Sequence, residues 1–225
     1  MKKEETETLD CLCIRDCGLM RYREALELLL ELVDRRRAGD IGDTVLVLEH
    51  EPVITLGARQ TANKLLASTE EVAAKGIDLV DIRRGGGVTA HNPGQLVFYP
   101  ILHLQNARVG INEYIRELEQ IGIELLRSLG VGSDRKKGFP GLWVDGRKIA
   151  SIGVRVSKFV TYHGMAINIS NDLSIFDYFV PCGLDGVQMT SVVKETGREH
   201  AMKDVKRRLS ELLGKHFSFS KEAAK

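Results

Sequence analysis

Segments with helical periodicity alternate with segments that read as strands along most of this 225-residue chain, and that alternation limits its fold more than any other feature. Residues 20–37 read as a helix. Tyr22, Ala25, Leu26, Leu29, Leu32 and Val33 recur at three- and four-residue spacings, and Arg35, Arg36 and Arg37 precede Gly39. Asn112 reads as the cap of a second helix, with a stripe of Ile115, Leu118, Ile121, Leu125 and Leu129 and a stop at Gly130. A last helix covers 199–213 with Met202, Val205, Leu209 and Leu212 on one face, and a short one covers 69–75. Residues 9–16, 45–48, 53–56, 77–82, 95–102 and 160–169 read as strands. Asp145-Gly146, between apolar flanks, signals a two-residue hairpin. This order predicts an α/β (α+β) domain, a mixed sheet flanked by helices, with any division falling after about residue 180.

Charge excludes some partners. Lys and Arg total 32 and Asp and Glu 31, a net charge of +1, so bulk attraction to nucleic acid or to an anionic membrane is not predicted. No apolar run reaches the roughly 18 residues of a membrane helix. The first ten residues, MKKEETETLD, lack the apolar core of a secretory signal. Four cysteines in this length predict a reduced, cytoplasmic protein with free thiols rather than a disulfide scaffold. Cys11, Cys13 and Cys17 match no zinc spacing, the six histidines include no H-E-x-x-H, and no metal site is predicted.

The densest chemical signal is RRGGGVTAHNPGQLVFYP, residues 83–100. Three glycines after a strand let backbone approach a ligand closely or adopt positive φ. The stretch fits neither a Walker A loop nor a dinucleotide fingerprint. Asn92-Pro93-Gly94 is a turn, which predicts a hairpin with its second strand at 95–102. The loop is then either a ligand cradle or a glycine-rich hairpin with His91 facing solvent. Beyond the Asp-Gly turn, strand alternation puts Lys148 on the face of Ala150, Ile152 and Val154, as a buried lysine or one reaching for the sheet edge. Cys182, between Pro181 and Gly183, is a loop thiol, either a nucleophile or a spare. His163 precedes Gly164, which lets a ligand approach the strand or marks a core histidine.

Taken together, RGGGVTAHNPGQLVFYP closely resembles the signature R-G-G-x-x-T-aromatic-H-x-P-G-Q…Y-P of the lipoyl(octanoyl) transferase family. GLWVDGRKIASIGVRV, TYHGMAINI and VPCG are similar to its later blocks, in order, and the likeness covers roughly residues 10–195. The resemblance implies the fold of biotin and lipoate protein ligases, as a single catalytic domain over 1–225 with an ordered core at 9–217. It implies transfer of an octanoyl group from octanoyl-acyl carrier protein to a lysine of lipoyl domains, in 2-oxoacid dehydrogenase complexes and the glycine cleavage H protein. Cys182 falls on the family's catalytic cysteine and Lys148 on its partner lysine. The acyl-binding segments fall on Arg84, Gly85, Gly86, Gly87, Val88, Thr89, Ala90 and His91, on Ala150, Ser151, Ile152 and Gly153, and on His163, Gly164 and Met165. A thiolate attacks a thioester readily, and a nearby ammonium favours the thiolate, so neither ATP nor metal is required. Ala90 stands where the family carries an aromatic or other large residue, and Asn92 where glycine is common, which bears on chain-length fit. The rival readings are an ATP-dependent lipoate or biotin ligase on the same fold and a non-catalytic protein that binds acyl carriers or lipoyl domains.

Overall fold

The computed structural model describes residues 11–181 and 186–217. The described strands are β1 (Cys13–Met20), β2 (Thr44–His50), β3 (Val53–Leu56), β4 (Asp78–Asp81), β5 (Thr89–His91), β6 (Gln95–Ile101), β7 (Asp134–Lys136), β8 (Phe139–Val144), β9 (Arg147–Ser157) and β10 (Val160–Asn168). The helices are α1 (Tyr22–Ala38), α2 (Thr69–Ala74), α3 (Leu104–Ala107), α4 (Ile111–Ser128), α5 (Val192–Thr196) and α6 (Met202–His216). A seven-stranded sheet runs β1-β2-β6-β10-β9-β8-β7, and a three-stranded sheet runs β4-β3-β5. β1 lies parallel to β2, while β2, β6, β10, β9 and β8 pair antiparallel. The mixed sheets flanked by helices are those the sequence predicts.

The large sheet is buried on both faces, so its inner strands read as continuous apolar runs. Val45 and Val47 of β2 pack with Leu118, Leu125 and Leu126 of α4 and Val205, Leu209 and Leu213 of α6. Leu46 and Leu48 turn the other way, against Ala25, Leu29, Leu32 and Val33 of α1. The C-terminal helix therefore shares its core with the middle of the chain. No helix among the described residues is long and apolar enough to cross a membrane.

Several local expectations change: β1 lies at Cys13–Met20 rather than 9–16, and α6 runs Met202–His216, through Gly214, rather than 199–213. α4 begins at Ile111 and is capped at Gly110, whose N–H donates to the Glu113 carboxylate at 2.8 Å. Asn112 thus sits inside the first turn. The segment around Asn92-Pro93-Gly94 is not a hairpin. β5 pairs with β3 in the small sheet, whereas β6 pairs with β2 and β10 in the large one. The turn carries the chain between sheets, and Asn92 is held there by donating to Asp172 O and accepting from Asn171 Nδ2. Gly94, at φ 87°, lies so close to Asn171 that a Cβ would stand 2.8 Å from its nitrogen.

Candidate active site

A cavity opens on the α1 face of the large sheet, beneath the glycine loop. Arg84, Gly86, Gly87, Val88 and Thr89 line it from the loop, His91 from β5, Lys148, Ser151, Ile152 and Gly153 from β9, and His163, Gly164 and Met165 from β10. Three segments distant in sequence converge here. Gly85 lines the adjoining grooves rather than this cavity. Ala90 is fully buried with Ile54, Val72 and Phe176 beside the small sheet, and Ala150 belongs to the core under α4, so neither reaches the cavity wall. Cys182 lies outside the described residues.

Lys148 reaches the cavity through an irregularity that alternation does not predict. In the β8–β9 pair Leu142 faces Ala150, but Trp143 faces Lys148, so Ile149 is an extra residue in a bulge. Ile149 and Ala150 both enter the α4 core, and Lys148 is left on the opposite face, with Ser151 and Gly153. The expected sharing of a face with Ala150 is therefore overturned, although Ile152 and Val154 line an adjoining groove together with Lys148. Lys148 is 3% exposed. Its Nζ lies 5.4 Å from the Trp143 ring centroid, and its stem passes Gly141, where a Cβ would come within 2.9 Å of Lys148 Cε. Its backbone is clamped by Lys148 N–H to Gln188 O at 2.8 Å and Thr190 N–H to Lys148 O at 2.9 Å.

The loop glycines are demanded first by the protein's own backbone. A Cβ at Gly87 would lie 2.6 Å from Ala62 Cβ, and one at Gly85 would lie 2.9 Å from Val154 O. A Cβ at Gly86 would meet only Arg84 Nη1, at an ordinary 3.6 Å, but the φ of 88° there belongs to the left-handed region. Arg84 organises these turns from inside. Its guanidinium, buried, donates to Gly87 O at 2.7 Å, Gly85 O at 3.1 Å, Thr55 O at 2.9 Å and twice to Thr55 Oγ1. Gly164 likewise serves a neighbouring strand, since a Cβ there would lie 2.2 Å from Phe98 O.

One end of the site is a cluster of rings: Tyr22, His50, His91, Tyr99 and His163, with neighbouring centroids 4.9–5.9 Å apart. Tyr22 stacks on His91 at an interplanar angle of 9°. His91 is therefore buried in the cluster rather than facing solvent. Tyr99 OH bonds His50 Nε2 at 2.7 Å, and His50 Nδ1 faces Met20 O at 3.3 Å. Desolvation lowers all three histidines: His50 to about 4, His163 to about 3 with Arg84 adding to the effect, and His91 well below its ordinary value with help from His50. The rings are neutral at pH 7. Tyr22, Val97, Tyr99 and Ala166 also line the cavity, and the sequence reading missed them. Tyr22 reads as part of the α1 core stripe, Tyr99 belongs to the closing Y-P of the signature without being singled out, and Val97 and Ala166 sit in apolar strands with no polar signal of function.

The match to known proteins decides the family. The model of the lipoyl protein ligase A/B catalytic domain matches residues 21–214. The chain belongs to that family. The octanoyltransferase of Maridesulfovibrio salexigens is 38% identical over 209 residues, which cover 93% of this chain and 98% of its own. The octanoyltransferase of a Roseiflexus species is 43% identical over 88% of this chain and 84% of its own. The acyltransferase reading, octanoyl transfer in protein lipoylation, holds on this ground. A solved lipoate-protein ligase A bound with ATP shares the fold at a TM-score of 0.70 and 15% identity, covering 92% of this chain and 84% of its own. The biotin protein ligase of Aquifex aeolicus follows at 0.52 and 15%, covering 95% and 71%.

Replacing the Arg84 fork by one ammonium, Arg84→Lys, leaves several loop carbonyls without a donor. It is expected to destabilise the fold by on the order of 3 kcal/mol and to raise KM for the acyl donor, read by denaturant titration and steady-state kinetics.

The neutral histidines give a pH dependence of defined sign. The unfolded chain binds protons at each ring near pH 6.5 while the folded chain does so only near 4 at His50 and near 3 at His163, so stability rises with pH between about 3 and 6.5 and is lost as pH falls through that window. Melting temperature should climb across it and flatten above. His50→Gln should make the climb shallower, and an unchanged slope would contradict the buried neutral assignment.

Proposed function

We propose that Cys182 is the nucleophile of a two-step acyl transfer and Lys148 its partner. The thiolate attacks the thioester carbonyl of octanoyl-acyl carrier protein, the C–S bond to the carrier breaks, and the carrier thiol leaves with a proton. The amine of an acceptor lysine on a lipoyl domain then attacks the new thioester. An amide forms, the Cys182 sulfur leaves, and the amine's proton passes to a base in the site. Lys148 favours the thiolate by charge and serves the proton transfers. The acceptors are lipoyl domains of 2-oxoacid dehydrogenase complexes and the glycine cleavage H protein. The setting is cytoplasmic, and the catalytic domain spans the chain with its ordered core at 9–217.

The observation that carries this reading is the Lys148 clamp. Gln188–Thr190, the segment that follows residue 182 closely in sequence, bonds directly to the backbone of Lys148 at the cavity wall. Upstream, Val180 N–H bonds Lys64 O and Phe179 bridges Leu65, so the chain is fixed on both sides of the proposed nucleophile. Val88, Val97, Met165 and Ala166 offer an apolar wall suited to an alkyl chain.

Intact-mass analysis after mixing with octanoyl-carrier thioester should show one octanoyl adduct on the wild type without ATP. Cys182→Ser should abolish the adduct, and joint replacement of Cys11, Cys13 and Cys17 should leave it. Lys148→Ala should move alkylation of Cys182 to higher pH and lose turnover, while Lys148→Arg should keep alkylation near neutrality and lose most turnover. Turnover by Cys182→Ser, or an ATP requirement, would sink the two-step thioester reading.

A further inference from the structure

A chain of buried side-chain amides joins the glycine loop to the Lys148 clamp. His91 Nδ1 lies 2.7 Å from Gln95 Oε1. Gln95 Nε2 donates to Asn168 Oδ1 at 2.8 Å and to Ala90 O at 3.3 Å. Asn168 Nδ2 donates to Thr190 O at 2.9 Å, and Thr190 N–H donates to Lys148 O at 2.9 Å. Gln95 and Asn168 face each other across β6 and β10, and His91, Gln95, Asn168 and Thr190 are all buried.

The direction of the chain follows from its far end. A backbone carbonyl only accepts, so Asn168 must present its NH2 to Thr190 and its oxygen to Gln95. Gln95 must then present NH2 to Asn168 and its oxygen to His91. His91 is left to donate from Nδ1, which makes Nε2 the lone-pair nitrogen of the neutral ring. At the Lys148 end, Thr190 Oγ1 donates to the Glu195 carboxylate, which also accepts a two-pronged pair of bonds from Arg147, the residue beside Lys148.

We propose that Gln95 and Asn168 are positioning residues for the acyl transfer: their amides form a one-way relay that sets the His91 tautomer at one end and the placement of Lys148 at the other. This role rests on Lys148 acting in the reaction proposed above. The relay also gives a physical reason for Gln95 in the motif, since a side chain there must accept from one neighbour while donating to another.

Asn168→Asp is the sharpest variant because it keeps the acceptor for Gln95 and removes the donor to Thr190. It should lower kcat by about 10- to 100-fold and leave KM for the octanoyl donor within about twofold. His91 should keep its Nδ1–H pattern in nitrogen NMR. Gln95→Glu should lower kcat similarly, because the link to Asn168 loses its donor. It should also make His91 easier to protonate, because a carboxylate then faces Nδ1. A folded Asn168→Asp enzyme with wild-type kcat would overturn the role. So would an Nε2–H tautomer of His91 in the unmodified protein, a measurement that needs neither variant to fold nor any activity. Absence of octanoyl transfer by the wild type would overturn the functional reading itself.

Discussion

The buried guanidinium of Arg84 is the interaction on which the cavity depends. Among the described residues the two sheets share no ladder of backbone hydrogen bonds, and something must hold the glycine loop where they meet. Arg84 does so with one planar group, reaching Thr55 of β3 on one side and the carbonyls of Gly85 and Gly87 on the other. Gly85 N–H completes the tie by donating to Val154 O of β9 at 3.1 Å. A charge this deep is tolerable only because its donors find oxygens, so the loop must fold to present them. The consecutive glycines follow from that demand. Without Cβ atoms the loop can pass Ala62 and Val154 at distances no other residue allows and still turn its carbonyls inward.

Much of the frame was legible because burial on one or two faces writes itself into periodicity. The α1 stripe and the Asp145-Gly146 hairpin appear where the spacing puts them, and α6 keeps Val205 and Leu209 of its stripe with Leu213 in place of Leu212 at its core. The joining of distant segments into one cavity was legible through the family resemblance and not through periodicity, which carries no tertiary information. The failures have local causes. Asn112 is a good capping residue in isolation, but Glu113 reaching back to Gly110 starts the helix earlier. The 92–94 turn has hairpin chemistry, yet its flanking strands join different sheets, and turn residues do not encode which partner a strand will find. Ala90 and Asn92 departed from the motif at positions that prove to serve packing and the inter-sheet turn.

The bulge at Lys148 and Ile149 shows why a one-residue irregularity matters more than any propensity here. Side chains alternate with a period of two, so an extra residue moves everything on one side of it to the other face. With a regular ladder, a strand that buries Ala150 under α4 would bury Lys148 there too, among leucines and valines. The bulge instead places Ile149 in that core and turns Lys148 toward the cavity. Gly141 on the neighbouring strand leaves room for the lysine stem, and Trp143 lies within reach of its ammonium.

Charge in the site is distributed by the same burial. The three histidines are held neutral, so at physiological pH the ring cluster offers hydrogen-bonding surfaces without net charge. Arg84 is charged, but its donors are engaged with the loop and Thr55. Lys148 also lines the cavity, buried beside the Trp143 ring. The apolar part of the wall is Val88, Val97, Met165 and Ala166, where burying an alkyl chain would be favourable. Lys148 sits on β9, where Gln188 and Thr190 clamp its backbone. On the proposed reading, that apolar wall takes the alkyl chain and Lys148, on the neighbouring strand, serves the chemistry at the carbonyl.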